Sequence, residues 1–119
     1  MQMTLAKAKE VLLIEAQAIK NLTSRIDKSF ARAVEEIYSC EGRVIVTGMG
    51  KAGIVGRKIS ATLSSTGTPS LWMHSAEAIH GDLGQVTKKD VLIILSNSGE
   101  IDEVKRLLPQ IKRINAKII

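Results

Sequence analysis

Aromatic residues are nearly absent: Trp72, Tyr38 and Phe30 are the only ones, 3% of the 119 residues. A surface that holds single-stranded nucleic acid needs stacking side chains among clustered Lys and Arg. The 17 Lys and Arg residues here are spread along the chain instead, so no nucleic-acid partner is expected. Cys40 stands alone, which excludes an internal disulfide, suits a reducing compartment and reads as a small hydrophobe near a helix end. No apolar run approaches the ~20 residues of a membrane span. The N-terminus also lacks the basic region, apolar block and small-residue cleavage site of a secretory leader. A cytoplasmic protein without a membrane partner is therefore expected. His74 and His80 with one distant cysteine make no zinc-ligand spacing, so no metal is expected either.

What is present fits one globular domain over residues 1–119, with 45% hydrophobic and 24% charged residues. The net charge of +5 favours an anionic ligand, and a small phosphorylated molecule suits the balance better than a polynucleotide.

Residues 4–25 predict a helix in which Leu5, Leu12, Ile19 and Ile26 recur every seven positions, with Val11, Ile14, Ala18 and Leu22 widening the stripe. Periodicity leaves open whether this stripe packs on its own domain or on a partner subunit. Asp27 or Ser29 caps a second helix carrying Phe30, Val34, Ile37 and Tyr38. Residues 43–47 then read as a buried strand, followed by glycines at 48, 50 and 53 and a helix from about Ala52 to Ser65 with Val55, Ile59 and Leu63 inward. Gly67-Thr68-Pro69 turns into a second strand over 70–74, and a polar loop or short helical segment follows over 75–84. Val91-Leu92-Ile93-Ile94-Leu95 has no polar alternation and predicts a third strand covered on both faces. Ser96-Asn97-Ser98-Gly99 opens a helix through Val104, Leu107, Leu108, Ile111 and Ile114, with a kink or restart at Pro109. Residues 116–119 begin a further strand. Alternating strands and helices predict an α/β fold, a three-layer sandwich with a parallel sheet flanked by helices. The uncovered apolar strand at the end reads as the edge of a larger domain whose C-terminal part is missing.

Three segments follow strands: the glycine turn, the 74–84 loop and the 96–99 turn. Ligands on parallel sheets bind outside the carboxyl ends of the strands, so all three belong to one rim. Gly48, Gly50 and Gly53 fit G-x-G-x-x-G, yet the acid expected about 20 residues later is missing, where Met73 and His74 stand. Nor is a P-loop formed, because Ile54 and Val55 follow Gly53. A dinucleotide-binding oxidoreductase is thereby disfavoured. The hydroxyls, amide and backbone N–H groups of Ser96, Asn97, Ser98 and Gly99 would wrap a phosphate monoester, although capping serines also occur in ordinary βα turns. Glu100, Asp102 and Glu103 favour a helix dipole, and one turned to the rim would serve as a general base beside a carbonyl. His80 sits in a polar loop where ligand can reach it; His74, ending a strand, reads as structural.

Residues 44–53, Gly67-Thr68-Pro69, residues 76–84 and Ser96-Asn97-Ser98-Gly99-Glu100 together resemble the sugar isomerase (SIS) domain of arabinose 5-phosphate isomerases. The carriers are Gly-Met-Gly-Lys, His-Gly-Asp-Leu-Gly and Ser-Asn-Ser-Gly-Glu, and the likeness covers nearly the whole chain. It implies interconversion of D-arabinose 5-phosphate and D-ribulose 5-phosphate through an enediol, a step towards the eight-carbon sugar (KDO) of Gram-negative lipopolysaccharide or capsule. It also implies a cytoplasmic homotetramer that needs no cofactor, with a C-terminal CBS pair in full-length members. On the family pattern Lys51, His80 and Glu103 fall on catalytic positions, and Gly50, Ser96, Asn97, Ser98 and Gly99 on substrate-binding ones. Isomerisation needs a base and a group that stabilises oxyanion charge; Glu103 and Lys51 are expected to fill these roles, with His80 as proton shuttle or hydrogen-bond partner to a sugar hydroxyl. Ala52, Ser75 and Ile101 depart from the residues common in the family, and a further catalytic histidine is expected beyond residue 119. The competing reading is a non-catalytic SIS module that binds a phosphosugar as a sensor; it would keep the serine turn and dispense with Lys51 and Glu103.

Overall fold

A computed structural model describes residues 2–99 and 102–119, the side chain of Glu103 excepted. The chain divides into two compact units, residues 1–34 and 35–119.

In the first unit, α1 (Gln2–Asn21) ends earlier than the heptad pattern predicts, and a 3-10 turn (Leu22–Arg25) carries the chain on. Thr23 and Ser24 explain the change, since their hydroxyls donate to the carbonyls of Lys20 and Asn21 and compete with helical bonding. No residue of α1 is buried, and Leu5, Leu12, Leu13 and Ile19 all lie more than half exposed. The second helix, α2 (Lys28–Tyr38), starts at Asp27, which settles the choice of cap. Its Oδ1 accepts from the N–H groups of Ser29 and Phe30 and from the Ser29 hydroxyl. The Ser29 hydroxyl, with those two amides, holds the Asp27 carboxyl below its ordinary value.

The second unit is a four-stranded parallel sheet in the order β2-β1-β3-β4. Its strands are β1 (Val44–Gly48), β2 (Ser70–His74), β3 (Val91–Leu95) and β4 (Lys117–Ile118). Three helices connect them: α3 (Gly50–Ser65), α4 (Ser75–Ile79) and α5 (Asp102–Ile114). All five β1 residues are buried, as befits a central strand covered on both faces. Strand β3 is buried only at Val91 and Leu92; Ile93, Ile94 and Leu95 are partly exposed, so coverage fades towards the carboxyl end.

Strand alternation sorts the two layers. Ile45, Met73 and Leu92 face the side of α4 and α5, where they pack with Ala78, Leu83, Leu107 and Ile111. Full burial of each of these large side chains contributes about 1.5–3 kcal/mol. Val46, Trp72 and Leu95 face α3. There the sequence reading needs correction. Val55 is 56% exposed, Ile59 and Leu63 are half-buried, and the fully buried face of α3 is Gly53, Gly56 and Ser60. A Cβ on Gly56 would meet Trp72 Cζ3 at 2.8 Å and Val46 Cγ1 at 3.2 Å, so the bulk at this contact comes from the sheet and the helix supplies the hollow. Helix α5 runs uninterrupted through Pro109, without the restart that its ring suggests.

At the amino end of the sheet, Asp90 is 2% exposed and ties two segments together. Its Oδ1 accepts from the Arg43 N–H at 2.7 Å, and its Oδ2 from the N–H and hydroxyl of Thr87 at 2.7 and 3.0 Å. Burial pushes the Asp90 carboxyl up, but these hydrogen bonds and the nearby Arg43 guanidinium outweigh it and hold the group below its ordinary value. Asp90→Ala should therefore cost about 2–3 kcal/mol at neutral pH through the amides left without an acceptor. Because the folded value is depressed, this stability is present above the unfolded carboxyl value of ~3.9 and is lost as pH falls through the folded one. Urea denaturation of both proteins from pH 7 to pH 3 should show the gap narrowing only below about pH 4.

Candidate active site

The direction of each crossover decides where a ligand can sit. From β1 the chain passes over one face through α3 to β2; from β3 it passes over the other face through α5 to β4. Between the carboxyl ends of β1 and β3 the connections therefore diverge, which opens the crevice where open parallel sheets bind ligands. Gly48 and Leu95 are register partners at that point. The glycine turn and the serine turn follow them directly, so the two segments singled out in the sequence flank one crevice.

Glycines in the first turn do different jobs. A Cβ on Gly48 would stand 3.0 Å from the Leu95 carbonyl oxygen, and one on Gly53 would stand 3.0 Å from that of Gly48. Those two permit close approach of backbone to backbone. Gly50 adopts φ +53° with open space around it. The helix also begins sooner than the sequence predicts, at Gly50 rather than near Ala52, with Met49 as its N-cap. Its first internal bond runs from the Gly53 N–H to the Met49 carbonyl. The N–H groups of Gly50, Lys51 and Ala52 thus belong to the unpaired first turn, which favours negative charge. Lys51 lies exposed on this turn, and among the described residues its ammonium has no carboxylate or hydrogen-bond partner.

In the second turn, the Ser96 Oγ accepts from the Gly99 N–H at 2.9 Å, and Gly99 takes φ +69°. This local bond holds the loop in shape and leaves the Ser96 O–H as a donor for a ligand. It also occupies the Gly99 amide, which removes one of the N–H groups expected to reach a phosphate. Asn97 and Ser98 are exposed beside it. Glu100, Ile101 and the side chain of Glu103 lie outside the described residues.

The third segment folds as a short helix and a turn. His74 caps α4, its Nδ1 accepting from the Ala76 N–H at 3.3 Å, which bears out the structural reading of this histidine. His80 is the C-cap of α4, exposed, with its N–H donating to the Glu77 carbonyl at 3.0 Å. It is carried on the α5 side of the sheet, while Lys51 is carried on the α3 side. Two features escaped the sequence reading. One is a cleft of about 220 Å³ beside the glycine turn, lined by Gly50, Arg57, Trp72 and His74. Its only advance signal was a basic residue six positions after Lys51. The other is a buried bond between the hydroxyls of Thr47 and Ser75, which nothing local announces. A larger cleft of about 440 Å³, bordered by Cys40, Lys88, Lys89 and Asp90, opens at the amino ends of the strands, away from this rim. There Lys89 pairs with Glu41 at 3.5 Å and Lys117 with Glu36.

The SIS domain family matches residues 36–119. The arabinose 5-phosphate isomerase KdsD of Escherichia coli K12 is 50% identical over 111 residues, covering 93% of this chain and 34% of that protein. Pseudomonas aeruginosa KdsD is 50% identical over 112 residues, with 94% and 34% covered. The chain thus spans about a third of the length of these curated relatives. Among solved structures, an E. coli CFT073 protein in complex with arabinose 5-phosphate superposes with a TM-score of 0.90 at 40% identity, covering 96% of this chain and 61% of that one. A phosphosugar isomerase described as involved in capsule formation, from Bacteroides fragilis, gives a TM-score of 0.90 at 36% identity, covering 97% and 62%.

The role of the Ser96 bond is directly measurable. Ser96→Ala should raise the hydrogen-exchange rate of the Gly99 amide and weaken binding of a phosphorylated ligand by roughly the tenfold that one lost hydrogen bond represents. Unchanged exchange would mean that the turn holds its shape without the hydroxyl.

Proposed function

The chain belongs to the SIS domain family, and from that premise we propose that it provides the sugar-phosphate site of an aldose–ketose isomerase that interconverts D-arabinose 5-phosphate and D-ribulose 5-phosphate. The observation that carries this reading is the placement of Lys51, which has no partner among the described residues, and of the serine turn on either side of one crevice between β1 and β3. The two KdsD relatives and the related structure with arabinose 5-phosphate bound support the choice of substrate.

In this mechanism the hydroxyls of Ser96 and Ser98, with the Asn97 amide, hold the phosphate at the start of the path into α5. A base removes the proton from C2 of the aldose, and the electron pair moves into the C1 carbonyl to give an enediolate. The proton returns at C1 while the hydroxyl proton passes from O2 to O1, leaving the ketose, with no net change in electrons. Glu103 is the proposed base. Lys51 stabilises the negative charge on the enediolate oxygen, where a preorganised cation acts most strongly once water is excluded. His80 moves the hydroxyl proton between the oxygens or positions a sugar hydroxyl.

In the full-length protein, Glu103→Gln should abolish turnover yet preserve binding of arabinose 5-phosphate, followed by NMR shifts of the Ser96 and Ser98 amides. Retained turnover would remove Glu103 from the base role. Binding without turnover in the unaltered full-length protein would instead favour a phosphosugar sensor.

The exposed stripe of Leu5, Leu12 and Ile19 on α1 supports a homo-oligomer, with a tetramer as the expectation from the family resemblance. Sedimentation equilibrium should give a mass above that of the monomer, and Leu5→Glu with Leu12→Glu should lower it. A monomeric unaltered protein at tens of micromolar would overturn the oligomer.

A further inference from the structure

We propose that the buried hydroxyl pair of Thr47 and Ser75 is a positioning clamp, which sets α4, and with it His80, against the end of β1 that opens the glycine turn. The inference rests on the reading of His80 as part of the reacting site.

The two oxygens lie 2.9 Å apart, with Thr47 1% and Ser75 0% exposed. Thr47 directly precedes Gly48, the last residue of β1, and Ser75 is the first residue of α4. The bond therefore joins two of the three segments that form the rim, at the point where each leaves the sheet. Helix α4 needs such a tether. With five residues it closes only about one internal i→i−4 bond, so its own hydrogen bonding hardly defines its position. Among the described residues it is held by the His74 cap, by the packing of Ala78 and Ile79 on the core, and by the Ser75 hydroxyl on Thr47. The cap is local, and apolar packing is weakly directional. Among the described residues, only the hydroxyl bond is both directional and made to a different element.

Its surroundings argue against a purely stabilising role. Ile45, Met73 and Ala78 form the same layer, and an apolar pair at 47 and 75 would fill it without a polar atom to satisfy. Thr47 is also β-branched, so its Cβ substituents restrict χ1 and hold the hydroxyl in a narrow range of directions. A stiff donor-acceptor on the central strand and a hydroxyl on the first residue of α4 fix an angle as well as a distance. An error of about 1 Å in a catalytic group costs about a hundredfold in rate, so a modest shift of α4 is enough to register in turnover.

The test uses Thr47→Val, Ser75→Ala and their combination in the full-length protein. Each single change strands one buried hydroxyl and should lower the melting temperature; the double variant removes both polar groups and should regain most of it. Under the clamp, kcat stays reduced about tenfold or more in the double variant. KM should change little, and the His80 ring resonances should remain displaced from those of the unaltered protein. Thr47→Ser, which keeps the hydroxyl but not the γ-methyl that stiffens it, should recover most of kcat and move the ring resonances back towards those of the unaltered protein. Recovery of kcat and of the His80 resonances together with the melting temperature in the double variant would overturn the proposal, leaving the pair a stability element. If the unaltered full-length protein turns over no pentose phosphate, the isomerase reading fails, and the His80 resonances alone then decide the clamp: displaced in the double variant supports it, unmoved overturns it.

Discussion

The approach of helix α3 to the sheet is the contact on which the rim depends. Gly48 and Gly53 meet backbone to backbone, and Gly56 leaves the hollow into which Trp72, Val46 and Leu95 project. This closeness brings the first turn of α3 directly over the end of β1, so the unpaired N–H groups of Gly50, Lys51 and Ala52 stand beside the β1–β3 crevice. A side chain at 48 or 53 would push the helix away and carry Lys51 with it. Gly53 and Gly56, which weaken a helix by propensity, are thus what let it seat against the sheet.

At the other end of the strands, Asp90 performs the complementary task. Its carboxylate gathers the amide of Arg43, just before β1, and the amide and hydroxyl of Thr87, just before β3, so the adjacent strands start in register. Gly42 lies against the same group: a Cβ there would stand 2.3 Å from Asp90 Oδ1. Register fixed at the amino ends propagates along five paired residues to Gly48 and Leu95, where the glycine turn and the serine turn emerge side by side. A stabilising knot and the crevice between the two turns are therefore opposite ends of one strand pair.

Much of this was legible in the chain. The β2 boundaries, the buried central strand, the parallel order and the rim location of the three turns all follow from short apolar runs separated by small residues. Residue size is a poor guide to burial on α3. Val55 is large and exposed while Gly56 is small and buried, because the facing Trp72 supplies the volume. Helix α3 starts earlier than its residues suggest for a related reason, since Gly50, at φ +53°, and Gly53, against the Gly48 carbonyl, look like loop residues.

By itself the sequence determined the side chains available to this protein: a lone lysine in a glycine-rich turn, a serine turn before a helix, and a histidine in the polar loop after β2. It also determined the order of strands and helices, because hydrophobic period and turn residues are local properties. Tertiary structure alone decided which turns share a crevice, since that follows from the opposite faces taken by the crossovers after β1 and β3. It alone decided that Thr47 meets Ser75 and that Asp90 meets Arg43, pairs 28 and 47 residues apart. Such pairings depend on how the sheet folds back on itself, and no local pattern encodes them.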